Sequence, residues 1–315
     1  MGEDVPVTAP ADLPRPGGAW GGLLLVCGAG VVWGTIGPGV GLVHERSSLS
    51  VFTTGAYRGV AAVVTLLLAA SLARQWGHCR ALLRQHGRRV LAVGVLTALF
   101  QLLFFVAVFA SGVSIATVVA PGFAPVLLLV VGAVRRRRPP SWAEAVTVGA
   151  AVLGLALVGS GGGPGPHVAL GVLAALGSGT AYGLSAYFGA PLMEHHDALA
   201  VTTCTTTVVG AVLVPGGLVV ALFRGEPMGS TDVGTWLLIG YLGAITLAFA
   251  YGLFFAGLRR TPSGTAVVAT LLEPVTGVLI AVAFLGERLS PLAVVGTLLI
   301  LGAIGTLGRR TETPV

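Results

Sequence analysis

Ten long, nearly charge-free apolar runs dominate the sequence and restrict what the chain can fold into. Six carry no charge: Trp20–Val43, Gly112–Val134, Val168–Leu192, Ala198–Phe223, Val233–Leu258 and Leu292–Gly308. Four carry a single polar exception: Leu49–Leu72 with Arg58, Val90–Ala110 with Gln101, Trp142–Gly159 with Glu144, and Pro262–Leu285 with Glu273. A bilayer core about 30 Å thick needs roughly 20 apolar residues per crossing helix. Only 10% of the 315 residues are charged, whereas an average soluble domain has about 25%. Such a chain cannot cover a globular surface in water. The runs do not alternate as barrel strands do, so the expected class is an all-α integral membrane protein of ten transmembrane helices.

Arginine placement sets the expected orientation. The net charge of +6 comes without any lysine. With the N-terminus in the cytoplasm, the inner segments hold 14 arginines, among them Arg135 to Arg138, Arg259 and Arg260. The outer loops hold three, Arg46, Arg224 and Arg288. This is a positive-inside pattern, placing a multi-pass chain in the cell (inner) membrane with both termini cytoplasmic. The same charge reads as membrane anchoring, so no nucleic-acid partner is expected. The missing lysine rules out a phosphate-cradling G-x-x-x-x-G-K-[ST] loop and a lysine Schiff base. Cys27, Cys79 and Cys204 form no C-x-x-C pair, and Glu194-His195-His196-Asp197 reads as a solvated turn, so no metal site is expected.

The two halves repeat. A shift of 149 residues places Gly22, Gly28, Gly30 and Gly34 on Gly171, Gly177, Gly179 and Gly183. It also pairs Trp33 with Tyr182, Gly94 with Gly243, Phe105 with Phe254 and Pro125 with Pro274. Five helices is an odd number, so the second half must enter the membrane in the opposite sense. The charge bias of equivalent loops inverts accordingly: Arg135–Arg138 align with 284–287, and Arg259 and Arg260 with Ala110 and Ser111. Two inverted five-helix repeats follow, with a site between them near midplane. The expected organisation is a disordered cytoplasmic tail at 1–19, repeat one at 20–159 and an outer linker at 160–167. Repeat two spans 168–308, and a cytoplasmic tail covers 309–315.

Counting along their helices puts Arg58, Gln101 and Glu273 at similar depth, roughly 14–17 Å from a membrane face. An ionisable group there costs at least about 2.5–3.5 kcal/mol unless paired or hydrated. Arg58 and Glu273 therefore either face a cavity, as substrate or proton-coupling groups, or neutralise each other as a structural pair. Pro125 and the Glu273-Pro274 step free backbone carbonyls that a cavity can use, as does Pro38. Trp33, Tyr182 and Tyr251 lie deeper than interfacial belts and suit either core packing or stacking on an organic substrate. The threonines Thr202 to Thr207 are expected to bond their own helix carbonyls. Nothing in this set is a catalytic constellation, and no cofactor is expected.

These features together resemble the drug/metabolite transporter superfamily, EamA type. The resemblance rests on Trp33-Gly34 in the first run and on the closing stretch Leu272-Glu273-Pro274 … Gly286-Glu287-Arg288-Leu289 … Gly296 … Gly302, with Arg58 in the second run. It covers about residues 20–308. The first half departs from it, with Arg138 and Ala124 at the positions of Glu287 and Glu273. The resemblance implies a secondary transporter, exporting or exchanging small metabolites, amino acids or drugs. It also implies a cavity from helices one, three, four, six, eight and nine, with five and ten peripheral. Partners would be the lipid bilayer and a small-molecule substrate; a proton as coupling ion and a homodimer both remain open. The competing class is an integral-membrane enzyme acting on lipid or isoprenoid substrates, which calls for clustered acids or histidines at a membrane face.

Overall fold

The computed structural model describes residues 17–111, 113–158, 167–285 and 291–310. The terminal tails at 1–16 and 311–315, most of the expected linker and the Gly286–Ser290 part of the closing signature lie outside these. The described residues form helices and no strand. In order they are α1 (Gly17–Trp33), α2 (Ile36–Arg46), α3 (Val51–Leu72), α4 (Trp76–Ser111), α5 (Val113–Arg136), α6 (Trp142–Val158) and α7 (Val168–Gly189). Next come α8 (Leu192–His195), α9 (Ala198–Phe223), α10 (Val233–Gly243), a π-helical segment (Ala244–Phe249) and α11 (Ala250–Leu258). The chain closes with α12 (Ser263–Ala269), α13 (Leu272–Leu285) and α14 (Pro291–Arg310).

Helix starts follow local chemistry. Ser50, Asp197 and Asp232 accept hydrogen bonds from the amides of Thr53, Leu199 and Thr235, the usual device for free amides at a helix start. Within α4 the non-helical backbone of His86 separates an arginine-rich first segment from the apolar run that follows. Among the described residues each of the ten apolar runs is mainly helical, and seven described stretches are long and apolar enough to cross a membrane by length and composition. Helices Trp142–Val158 and Val294–Ile304 are shorter, and the run at 262–285 is divided between α12 and α13. The chain is thus an all-helical multi-pass protein, and its outer faces expose side chains such as Leu24, Leu72 and Phe223 that suit lipid.

The pattern of packing partners recurs when the halves are exchanged. Adding 149 to its bounds carries α4 onto α10–α11, and subtracting 149 carries α7 onto α1. The α4–α7 interface is accordingly repeated as α1–α11, and α5–α7 as the contacts of α1 with α12 and α13. The remaining mates pack on each other, α3 on α9 and α6 on α14. Both pairs are antiparallel: a Cβ on Gly217 would meet Phe52, one on Gly210 would meet Val63, and Gly154 opposes Gly296 while Thr147 reaches Thr306. Glycines set these close approaches. A Cβ on Gly22 would meet the 260–261 turn, and one on its repeat mate Gly171 would meet Ser111 at the end of α4.

Candidate functional site

The expected break at Pro38 falls earlier, at Gly34–Thr35 between α1 and α2. The Thr35 hydroxyl donates to Val32 O at 2.7 Å there. A second break, at Thr270–Leu271, lies three residues ahead of Pro274. Pro274 has no amide to give Thr270 O, and the Glu273 amide takes that carbonyl instead at 2.9 Å. These two breaks face each other. A Cβ on Gly34 would lie 2.7 Å from Glu273 O and 2.5 Å from Thr276 Cβ, and one on Gly30 would lie 3.2 Å from Thr270 O.

A cavity of about 200 Å³ opens beside them. Seven of the eight candidate residues line it: Trp33, Arg58, Gln101, Tyr182, Tyr251, Glu273 and Pro274. Both halves contribute, through α1–α5, α7, α11 and the α12–α13 junction; α6 and α14 do not. Compared with the helices implied by the resemblance, the second apolar run is an addition, through Arg58 alone.

The anchoring of Arg58 and Trp33 depends on the π-helical segment, where the hydrogen-bond ladder changes register. Arg58 Nε donates to Leu242 O at 3.2 Å, just before that segment. Trp33 Nε1 donates to Thr246 O at 2.9 Å, inside it. Tyr182 OH donates to Thr270 Oγ1 at 2.8 Å, since that hydroxyl spends its own proton on Val267 O. The rings form a continuous cluster, with Phe254 buried behind the cavity's lining: Trp33–Tyr251 at 5.0 Å, Trp33–Phe254 at 5.6 Å, Phe254–Tyr182 at 6.1 Å and Tyr182–Phe100 at 5.1 Å between centroids. The repeat mates Trp33 and Tyr182 thus flank the same Phe254.

Arg58 and Glu273 share the cavity and act on each other electrostatically, yet they form no direct ion pair. The mutual pair offered by the sequence as a structural explanation is not made in this arrangement. The Gln101 side-chain amide nitrogen is buried with no hydrogen-bond partner among the described residues.

Pro125 lies elsewhere. It lines a second cavity of about 290 Å³ with Arg135, Arg136, Glu144, Tyr187, Pro262 and Val268. At that cavity Arg135 donates to Tyr187 OH at 2.8 Å, and Arg136 pairs with Glu144 at 3.1 Å. One turn before Pro125, Pro121 reaches the first cavity. The helix face therefore decides which proline meets which space.

Sequence reasoning missed Phe100, Phe104, Phe105 and Thr270 as lining residues. Phenylalanine in an apolar run carries no signal of its own, but the spacing of Phe100, Phe104 and Phe105 around Gln101 marks one helix face. Thr202, Thr205 and Thr207 bond carbonyls of their own helix, at 2.7–2.8 Å.

Comparison with known proteins agrees with this architecture. The model of the EamA-like transporter family matches residues 20–160 and 169–308. A relative from Bacillus subtilis (strain 168), the uncharacterized transporter YwfM, is 31% identical over 295 residues, covering 92% of this chain and 95% of its own. One solved crystal structure superposes with a TM-score of 0.72, covering 93% of this chain and 99% of its own at 19% identity, a likeness of fold. With two repeats matched end to end by one family, the chain belongs to the EamA-like transporters of the drug/metabolite transporter superfamily.

Proposed function

We propose that this protein is a secondary transporter that exports or exchanges small metabolites, amino acids or drugs by alternating access, and that the aromatic cavity is its substrate site. In this reading the ten apolar runs are ten spans, arranged as inverted repeats at 20–159 and 168–308, in the cell inner membrane with both termini cytoplasmic. The cavity that both halves build around Arg58 and Glu273 carries the proposal. Groups of that kind in a membrane interior are retained where they serve a pathway.

The second cavity fits the cytoplasmic half of the same path. On α5 it begins one turn beyond Pro121, and on α12 two residues before Thr270. The Tyr182–Thr270 hydrogen bond crosses the layer between them and would seal it in this state. Rocking one half against the other would transfer the seal to the opposite side. Glu273, open to the cavity, is the group suited to carry a coupling proton.

The test is exchange from proteoliposomes loaded with a panel of radiolabelled amino acids and aromatic metabolites. At least one compound should leave faster than from protein-free vesicles and saturate. Arg58→Gln and Glu273→Gln, with insertion intact, should each cut that exchange about 10- to 150-fold, the range of one lost hydrogen bond to a charged group. Exchange no faster than in empty vesicles, or wild-type rates in both variants, would contradict the proposal.

A further inference from the structure

Among the described residues other than glycine, positive φ occurs at two arginines, Arg74 at 53° and Arg137 at 52°. They stand in the turns that close α3 and α5. The amides of Arg74 and Gln75 donate to Ser71 O and Ala70 O at 3.1 and 2.8 Å, and those of Arg137 and Arg138 to Val134 O and Ala133 O at 3.2 Å. Helix α9 closes in the same way, with Gly225 at 63° and the amides of Gly225 and Glu226 on Leu222 O and Ala221 O. Glycine is the residue this turn favours, because an L side chain is strained at positive φ. The three turns divide by membrane face. One crossing, α4, separates α3 from α5, so their ends share a face; α9 runs antiparallel to α3 and ends on the other. Arginine holds the glycine position on one face only.

These guanidiniums are not spent on the protein. Among the described residues neither pairs with a carboxylate, nor do Arg80 and Arg84 on the first segment of α4, whereas Arg135 and Arg136 are held by Tyr187 and Glu144. That segment, which ends at the non-helical His86, presents three stripes. Cys79 and Leu82 are buried, Trp76 and Leu83 are exposed at 43% and 49%, and Arg80 and Arg84 follow on the next stripe around the helix. Trp76 Nε1 donates to Ser71 Oγ at 3.2 Å, which ties the segment back to the end of α3. Leu72, Val134 and Trp142 are exposed close in sequence to the two arginine turns. Exposed tryptophan and leucine next to unpaired arginine mark the level where acyl chains meet headgroups. A dissolved anion makes no use of such an apolar rim, and a phospholipid does.

We propose that this face docks anionic phospholipid. Arg74, Arg80, Arg84 and Arg137 take phosphodiester headgroups of the leaflet in which Trp76, Leu83 and Trp142 are seated. The strained arginine turns are then kept for the contact they make with lipid. The claim rests on the chain lying in a bilayer and on no step of transport.

Native mass spectrometry of the delipidated full chain in detergent tests it, titrating palmitoyl-oleoyl phosphatidylglycerol against phosphatidylcholine of the same acyl chains. An arginine near an anionic surface is worth about fivefold in affinity. Phosphatidylglycerol should bind about 10-fold more tightly or better. Arg74→Gly and Arg137→Gly should each weaken it about fivefold and leave phosphatidylcholine unchanged. Both variants suit the backbone of the turn, so in lipid-free detergent they should melt at or above the wild-type temperature. Equal affinity for the two lipids, or a full phosphatidylglycerol preference in the double variant, would overturn the proposal. So would displacement of the lipid by glycerol 3-phosphate at equal concentration, or variants that melt lower and keep the preference. A chain that exchanges no metabolite from vesicles yet prefers phosphatidylglycerol would sink the transport reading and leave this one standing.

Discussion

Arg58, Gln101 and Glu273 stand out in the sequence because each interrupts a run that is otherwise apolar, and the structure gathers them at one cavity. What the sequence could not tell was whether the two charges met. They do not pair; Arg58 Nε instead donates to the Leu242 carbonyl ahead of the π-helical segment, a feature that no residue pattern announces. That anchor predicts a conservative failure. Arg58→Lys keeps the charge but loses the Nε donor and the planar fork, so exchange should fall nearly as far as with glutamine. A lysine variant with wild-type exchange rates would show that charge alone suffices.

Away from the membrane interior, His196 meets the ring of His86 at 5.2 Å. Burial, followed by the neighbouring His86, His195 and His78, lowers its pKa below the usual 6.5. Its neutral form is therefore favoured in the folded state. The stability this contributes is complete above the unfolded value and is lost as pH falls below about 6.5. Thermal unfolding in detergent should show that decline, and His196→Gln should flatten it.

Among the elements, the breaks matter more than the helices. Prolines pointed to broken helices in three runs; two of these part, at Gly34–Thr35 and Thr270–Leu271 rather than at Pro38 or Pro274, while α5 continues through Pro121 and Pro125. A proline removes one amide, but neighbouring turns decide where the ladder opens. Pro125 shows the same limit from another direction: its match with Pro274 in the repeat is real, but it lies on the face of α5 toward the second cavity.

The glycine contacts are symmetrical in position and unequal in tightness. A Cβ on Gly34 would press on Glu273 O at 2.7 Å, whereas one on its mate Gly183 would sit 3.4 Å from Ala124 O. Gly34→Ala should therefore cost about 1–3 kcal/mol of stability through forced displacement of the Glu273 backbone. Gly183→Ala should be near neutral. Paired thermal melts check this, and equal losses at both positions would contradict the contact geometry.

For the whole molecule, the repeat was readable because glycine, proline and aromatic matches survive an ungapped shift of 149 residues. Antiparallel packing of α3 on α9 and of α6 on α14 is what such an inverted duplication produces. The number of crossings was less readable in the structure than in the sequence, since α12 and α13 share one run and α6 is short. Single cysteines replacing Arg137 and Arg259 should react with an impermeant thiol reagent from the same membrane face, and one replacing Arg224 from the other. Arg137 and Arg259 on opposite faces would remove the inverted arrangement.

Alternating access requires a wet central cavity that opens to each side in turn. After Cys27, Cys79 and Cys204 are replaced, a single cysteine at Gln101 can be probed with a small impermeant thiol reagent applied to either face of oriented vesicles. Labelling is expected from both faces, with substrate shifting the two rates in opposite directions. No labelling from either face, or labelling from one face under every condition, would contradict it.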